Sequence, residues 1–226
     1  MLPLTAGYLI AGPISGILSD KYGPRWFTTI GLALGALSFG LFLIIPVNFA
    51  YPSFALILLL NGVSSGLFSS PNSAAIMNSV PAESRGVASG MRAAFWNVGS
   101  PISTGVFFTL MILGLNAAMP AAMYSGLTQN GISAPVAEGL SKLPPVGYLF
   151  AAFLGYNPLG TLLGSNVLGT LPAATSATLT SRSFFPHLIM DPFRHGLTVV
   201  LVFSMIVYFV AVIISWFRGR NYVSKD

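Results

Sequence analysis

The sequence predicts an all-α protein that crosses a membrane several times, and three observations predict it. Residues 26–82 contain no charged side chain. Charged residues make up 7% of the whole chain and apolar residues 54%, whereas roughly 25% of a soluble domain is charged. The 24 glycines and 16 prolines are also typical of membrane helices, in which both residues are commoner than in soluble ones. A polytopic membrane fold is therefore favoured over a soluble one.

Five segments are predicted as transmembrane spans, because a crossing needs about 20 predominantly apolar residues. They are residues 2–19, 26–47, 53–77, 91–115 and 196–217. The first is short for a full crossing. The second and third are separated by a polar break between Pro46 and Pro52.

The segment of residues 116–195 is far longer than an ordinary connection between helices. Its first half contains Glu138 and Lys142, and its second half is apolar but interrupted by prolines and glycines. We expect two short helices joined near Asn157-Pro158, which either dip into the outer leaflet or lie on the membrane. Two true crossings are the alternative, since proline and glycine are tolerated within spans.

Basic residues indicate the orientation of the chain, because they accumulate on the cytoplasmic side of membrane proteins. Alternating spans place the two basic loops and the tail of residues 218–226 on one face. Their basic residues are Lys21, Arg25, Arg85, Arg92, Arg218, Arg220 and Lys225. We therefore predict a multi-pass protein of the cell membrane, with a cytoplasmic C-terminus and an extracytoplasmic segment at 116–195.

Glycines recur at four-residue spacing, which places them on one helix face and lets neighbouring helices approach closely. The pairs are Gly12/Gly16, Gly31/Gly35, Gly62/Gly66 and Gly160/Gly164. They predict a packed helix bundle.

The loop after the first span combines charge with a tight turn. Asp20 can accept hydrogen bonds from the N–H groups at a helix N-terminus, and Gly23-Pro24 favours a turn. Lys21 and Arg25 can pair with acids or lipid phosphates. A basic turn that only fixes the topology explains the same residues.

This loop resembles the cytoplasmic signature loop of the major facilitator superfamily, Gly-x-Leu-Ala-Asp-Arg-x-Gly-Arg-Arg. The matching positions are Gly16, Leu18, Asp20, Gly23 and Arg25. Ser19 and Lys21 are mild replacements. Pro24 replaces the first of the two terminal basic residues, so the resemblance implies a weaker charge lock.

A second string, residues 69–100, resembles the second half of the fourteen-span drug:proton antiporter branch of that superfamily. It includes Ser69-Ser70-Pro71-Asn72 and continues through Glu83-Ser84-Arg85-Gly86 to Asn97 and Gly99. The resemblance implies half of a facilitator-type helix bundle with a long extracytoplasmic helical hairpin. By this alignment the first span corresponds to the tenth of fourteen, and the last span to the fourteenth.

The resemblance also implies a function, namely proton-coupled efflux of drugs or other amphipathic molecules by alternating access. The expected partners are membrane lipid, the substrate, protons and an N-terminal half that this sequence lacks. The proton-coupling acids of the branch usually lie in that half, so none is assigned here. A truncated remnant without transport activity, or a membrane interaction protein acting through its outer segment, is the alternative.

Two sets of residues are the candidate site. A conformational latch at the cytoplasmic face would use Gly16, Asp20, Lys21, Gly23, Arg25, Glu83, Arg85 and Arg92, although solvated topology markers explain the same charges. A substrate cavity would be lined by Asn61, Phe68, Asn72, Phe95, Trp96 and Asn97. Hydrogen bonding between helices explains the three asparagines equally well.

Other classes of function find little support. His187, Asp191 and His195 are spaced four residues apart, but Pro186 and Pro192 predict a broken helix there, so we predict no metal site. Arg194 and His195 are instead expected to anchor the last span at the outer interface.

The chain also lacks the usual signatures of catalysis and of nucleic-acid binding. No glycine-rich phosphate loop with its lysine is present, and we expect neither an enzyme nor a cofactor. The basic residues are scattered singly, which argues against a nucleic-acid partner. The absence of cysteine excludes disulfides and thiol chemistry.

Overall fold

The computed structural model describes residues 1–46 and 48–218, with only the backbone described at residues 152 and 153. Nine α-helices and one 3-10 turn make up the described residues, which contain no strand. The α-helices are α1 Leu2–Tyr22, α2 Pro24–Ile44, α3 Tyr51–Asn78, α4 Arg85–Gln129, α5 Ala134–Ser141, α6 Pro145–Phe153, α7 Leu159–Leu168, α8 Ala173–Thr180 and α9 Phe184–Trp216; the 3-10 turn is Ala82–Ser84. The predicted all-α class is confirmed.

Five of the described helices, α1 to α4 and α9, are long and apolar enough to cross a membrane. Each contains one of the five predicted spans or most of it. α4 begins at Arg85 and continues to Gln129, and α9 begins at Phe184, so both helices extend beyond the segments predicted to lie in hydrocarbon. Residues 47 and 219–226, which include the predicted Arg220 and Lys225, lie outside the described residues.

The chain divides into two compact units. The first unit contains residues 1–103 and the described residues from Leu201 onward. The second unit contains residues 104–200.

Close backbone contact between helices organises the first unit, in which α3 packs against both α1 and α2. A Cβ added to Gly66 would lie 2.8 Å from the backbone nitrogen of Gly12, and one added to Gly31 would lie 2.9 Å from the Ser64 carbonyl oxygen. Ser15 Oγ donates to the Gly66 carbonyl at 3.1 Å. These contacts are the small-residue packing that joins helices in membranes.

The fourth predicted glycine pair does not form a packing face. Gly160 lies in α7, but Gly164 has φ +70°, which interrupts the regular helix. A side chain is disfavoured at such a φ, and glycine adopts it freely. The prediction that this pair shares a helix face was therefore wrong.

The second unit has a core of large apolar side chains. Met119, Met123 and Leu127 of α4 are at most 1% exposed, and Phe185 of α9 is completely buried. The short helices add Ala137, Leu149, Leu159, Leu163 and Leu179 to the same cluster. α6 and α7 lie on either side of Asn157-Pro158 and contain 9 and 10 residues, which is about half of the length that a crossing needs.

One local prediction was wrong, because α9 is continuous from Phe184 through Pro186 and Pro192. Pro186 lies in the first turn, where its missing N–H would have no helical partner. Pro192 lies inside the helix and is almost fully buried. His187, Asp191 and His195 therefore do share a helix. Even so, the part of the chain that the structure describes contains no group of three such residues able to hold a metal ion.

Candidate functional site

A cavity of about 620 Å³ lies among α1, α3 and the first part of α4, within the first unit. Aromatic residues on three sides and several amides and hydroxyls line it. They are Tyr8, Phe68, Ser69, Asn72, Ser73, Ser89, Arg92, Ala93, Phe95, Trp96 and Asn97. Apolar walls with a few polar groups are typical of sites for small organic molecules.

Five of the six predicted cavity residues line this one cavity: Phe68, Asn72, Phe95, Trp96 and Asn97. Helical periodicity explains the grouping, because Phe68 and Asn72 are four residues apart on α3. Phe95, Trp96 and Asn97 occupy one turn of α4, and Phe95 and Trp96 are about three-quarters exposed. Their rings are therefore available to a ligand or to another helix.

Asn61, the sixth predicted residue, does not line the cavity. Its amide Nδ2 donates to Ser38 Oγ at 2.8 Å and so joins α3 to α2. Ser38 Oγ in turn donates to the Gly35 carbonyl at 2.8 Å. Asn61 therefore fits the alternative explanation, a hydrogen bond between helices.

Two arginines hold the polar side chains of the cavity wall on α3. Arg92 Nη1 donates to Ser73 Oγ, and Arg218 Nη1 donates to Asn72 Oδ1 at 2.8 Å. Both partners are neutral. Charge-assisted bonds of this kind are stronger than those between neutral groups, so they fix the orientation of the hydroxyl and the amide.

The predicted latch residues lie at the ends of helices, and the structure does not bring them together as ion pairs. Asp20, Lys21, Glu83 and Arg85 are exposed, and Lys21 Nζ lies 5.5 Å from the centre of the Tyr22 ring. The only ion pair among the described residues joins Lys142 to Glu138 in the second unit.

The two glycines of the predicted latch have geometric roles. A Cβ added to Gly16 would lie 2.7 Å from Ser70 Oγ of α3, so a side chain there would require the Ser70 hydroxyl to rotate away. Gly23 has φ +85° and is the single residue between α1 and α2. Its N–H donates to the Ser19 carbonyl at 2.8 Å, and a residue with a Cβ would be strained at that φ.

Arg25 has an aromatic partner where the sequence suggested an acid. Its guanidinium carbon lies 4.9 Å from the centre of the Trp216 ring, a distance at which a cation is attracted to the ring face. Trp216 also packs edge-on against Trp26, with 5.3 Å between ring centres. Arg25 Nε is buried and has no hydrogen-bond partner among the residues that the structure describes.

A hydroxyl cluster extends this contact between α2 and the end of α9. Ser215 Oγ lies 2.8 Å from Thr29 Oγ1 and 3.2 Å from Thr28 Oγ1. Ser215, Trp216 and Arg218 were not predicted as site residues. The paired threonines and the tryptophan beside Arg218 are the sequence signals that point to them, because aromatic residues concentrate at membrane interfaces.

Two titratable groups of the second unit have shifted pKa values. A hydrogen bond from Lys142 Nζ, 2.7 Å long, and the charge of that ammonium lower the pKa of Glu138 below its usual value. Burial raises the pKa of Tyr148 to about 12. The Tyr148 hydroxyl donates to the Leu140 carbonyl at 2.7 Å, so its proton is retained in the fold.

Comparison with known families identifies the family to which this chain belongs. The model of the Major Facilitator Superfamily matches residues 4–220, which is nearly the whole chain. The chain belongs to the major facilitator superfamily. Its five apolar helices are therefore a multi-pass membrane segment of a facilitator-type bundle, and transport across a membrane is the function of its class.

Curated members of the superfamily show similarity to part of the chain. The methyl viologen resistance protein SmvA of Salmonella typhimurium is 30% identical over 126 residues, which are 54% of this chain and 25% of that protein. The tetracenomycin C resistance and export protein of Streptomyces glaucescens is 27% identical over 120 residues, 53% of this chain and 22% of that protein. The matched part thus spans about a quarter of these relatives' length. No solved structure matches the chain.

Proposed function

We propose that this chain is the C-terminal part of a proton-coupled transporter that exports drugs or similar amphipathic molecules by alternating access. The cavity among α1, α3 and α4 is the observation that carries the proposal. Its volume, about 620 Å³, falls in the range of sites for drug-sized ligands. The two relatives, a methyl viologen resistance protein and a tetracenomycin C resistance and export protein, support the same substrate class.

The cavity residues form one wall of such a site, and another set of helices has to form the opposite wall. Phe95, Trp96 and Asn97 are exposed, and none of the described residues that line the cavity is acidic. Transporters of this architecture bind substrate between two halves that rock about it. We therefore propose that an N-terminal half supplies both the second wall and the proton-carrying acid.

Binding of 2-naphthamide, an uncharged aromatic probe, to the purified chain in nanodiscs tests the cavity. We expect Trp96→Ala to weaken saturable binding about fivefold or more, because stacking on an aromatic face contributes on the order of 1 kcal/mol. The matched control is Phe209→Ala, which removes an exposed aromatic side chain of α9 that does not line the cavity. Equal binding by the two variants would contradict the proposal.

The need for a second half has its own test in proteoliposomes. The chain alone should show no drug-dependent proton movement under an imposed pH gradient, because it carries one wall only. Drug-driven proton flux in vesicles that contain nothing but this chain would refute the two-part transporter, whatever the result of the binding measurement.

At the cytoplasmic face, we propose that contacts between helix ends act as the latch that changes as the halves rock. The contacts of Arg25 with Trp216 and of Thr29 with Ser215 are the ones on which this proposal rests. They are short-range and involve no ion pair. Breaking these contacts therefore costs less free energy than separating a desolvated ion pair, for which the desolvation and pairing energies are both large.

For residues 116–195, which form most of the second unit, we propose an extracytoplasmic position outside the hydrocarbon. Glu138, Lys142, Asp191 and Arg194 are all exposed there, and charged groups are costly in lipid. The exposed apolar residues of α6 and the turn that follows it, Val146, Phe150 and Leu154, suit contact with the outer leaflet.

Cysteine labelling tests the sidedness directly, because the chain has no native cysteine. In intact cells, an impermeant maleimide should label Lys142→Cys and leave Tyr22→Cys unlabelled until the membrane is opened. Labelling of Tyr22→Cys from outside would overturn the orientation. The alternative function, a membrane interaction protein acting through its second unit, predicts that a binding partner is lost when that unit is altered and that drug binding is absent.

A further inference from the structure

The cavity wall carries hydrogen-bond donors and a positive charge, and none of its described residues is negatively charged. Arg92 has only donor groups, and its one hydrogen bond within the described part of the chain is to the neutral Ser73 hydroxyl. Ser73 Oγ already donates to the Ser69 carbonyl at 2.7 Å. The positive charge of Arg92 therefore has no carboxylate partner among the residues that the structure describes.

Asn72 adds two further donors at the same place. Arg218 binds Asn72 Oδ1 and so determines which end of the amide is occupied. The other end, Nδ2 with its two N–H groups, has no partner within the described residues. Because Asn72 and Ser73 are adjacent and both line the cavity, the free amide N–H groups and the Arg92 guanidinium lie on the same part of the wall.

We propose that this wall is a subsite for an anionic oxygen group, such as a carboxylate, sulfonate or phosphate, on an aromatic or apolar body. The anionic group would accept hydrogen bonds from Arg92 and from Asn72 Nδ2, a charge-assisted arrangement. The body of the ligand would stack on Trp96, Phe95 and Phe68. An arginine beside aromatic rings with no acid nearby favours an amphipathic anion over a cation of the same size.

This inference rests on the proposed function, since it names the substrate class of the same cavity. An anionic lipid headgroup has the same chemistry as a soluble anionic substrate. The experiment therefore needs one arm for the charge of the ligand and another for the source of the anion.

The first arm compares 2-naphthoate with 2-naphthamide, which have the same ring system and differ in charge. Binding to the whole chain is measured by equilibrium dialysis in nanodiscs of phosphatidylcholine, with empty nanodiscs subtracted. We expect naphthoate to bind about tenfold more tightly, because one charge-assisted hydrogen bond contributes on that scale. Arg92→Gln should remove the difference, and Arg92→Lys should keep part of it.

Arg85→Gln is the matched control, because Arg85 is an exposed arginine of the same helix that does not line the cavity. It should leave the preference for naphthoate unchanged. If Arg85→Gln and Arg92→Gln lower the affinity for naphthoate equally, the effect belongs to the general surface charge and the subsite is overturned.

The failure of this inference and the failure of the proposed function give different results. Equal binding of naphthoate and naphthamide to the wild type, with both weakened by Trp96→Ala, overturns the anionic subsite and leaves the drug cavity intact. If neither probe shows binding that depends on Trp96, the cavity itself is overturned.

The second arm repeats the titration in nanodiscs that contain phosphatidylglycerol. If the wild type loses naphthoate binding in these nanodiscs and retains phosphatidylglycerol through Arg92, the subsite is assigned to a lipid headgroup. Unchanged naphthoate binding assigns it to a soluble anion. Both results require an anion site at Arg92. If Arg92→Gln still binds naphthoate more tightly than naphthamide, the proposed subsite is contradicted.

Discussion

The two units bury different kinds of side chain. In the first unit the fully buried side chains are small or polar, among them Ser15, Thr28, Ser38 and Pro71. In the second unit most of them are large and apolar, among them Phe185, Met123 and Leu127. Many large apolar residues of the first unit, such as Leu9 and Phe209, are more than half exposed.

The difference matches the two solvents that a membrane protein meets. In lipid, hydrophobic burial provides no driving force between helices, so close approach of small residues and interhelical hydrogen bonds hold them together. In water, burying large apolar side chains is the dominant favourable term. The composition of each core therefore supports the proposal that the helices of the first unit lie in the membrane and that residues 116–195, most of the second unit, lie outside it.

The largest expected effect is the loss of a large side chain from the second core. Phe185→Ala should lower the free energy of unfolding by about 3–5 kcal/mol, because it leaves a cavity in a packed apolar cluster. Phe209→Ala, in the same helix but in the first unit, should change it by less than about 0.5 kcal/mol, as is usual for exposed positions. Denaturant titration of the purified chain in detergent measures both. Similar losses would show that the two cores do not differ in this way.

The next effect in size is overpacking of the first unit. Gly62→Ile should destabilise it by about 1–3 kcal/mol, because a Cβ at Gly62 would meet the Leu4 backbone of α1. Gly90→Ile is the control, since a Cβ at Gly90 meets nothing within 4 Å. Hydrogen exchange resolved by peptide should show faster exchange in α1 and α3 for Gly62→Ile only.

A smaller effect is expected from a single hydrogen bond between helices. Asn61→Ala removes the bond to Ser38 Oγ, and such bonds in membrane bundles contribute about 0.6 kcal/mol on average. Asn97→Ala removes an amide that makes no hydrogen bond within the described residues, so the unfolding free energy of the isolated chain should not change. A loss for Asn97→Ala as large as that for Asn61→Ala would contradict this distinction.

The smallest effect at neutral pH concerns Tyr148 of the second unit, which changes stability only under alkaline conditions. Folding raises the pKa of Tyr148 from about 10 to about 12, so its contribution to stability is complete below pH 10 and is lost as the pH rises towards 12. Tyr148→Phe should remove this part of the alkaline destabilisation. Tyr124→Phe, an exposed tyrosine of the same unit, should retain it. Tyrosine absorbance and helical circular dichroism, followed together, give the measurement.

The sequence predicted the helices and most of the cavity because both follow local periodicity. Apolar runs identify the five long helices, and Phe68, Asn72 and Asn97 stand out as aromatic or amide groups within spans. The bonds of Arg92 to Ser73 and of Arg218 to Asn72 depend on tertiary packing, and no spacing in the sequence indicates them. Asn61 has the same residue type as Asn72 and points to a different neighbour.

The core of the second unit was not predicted, and its physical origin explains why. The four short helices α5 to α8 contribute between one and three buried residues each, so none of these short stretches shows the pattern of a core by itself. The apolar stretch that contains Leu149, Leu159 and Leu163 is equally consistent with contact with lipid. Only the fold shows that these side chains face one another.

The single residue between α1 and α2 has a mechanical consequence. Tyr22 and Pro24 are both helical, and the N–H of Gly23 donates to the Ser19 carbonyl. The connection between α1 and α2 therefore contains no residue beyond Gly23. A tilt of α1 would therefore also displace the N-terminus of α2. Under the proposed transport function, inserting a few flexible residues at this connection should let the two helices tilt separately and should impair transport more than folding.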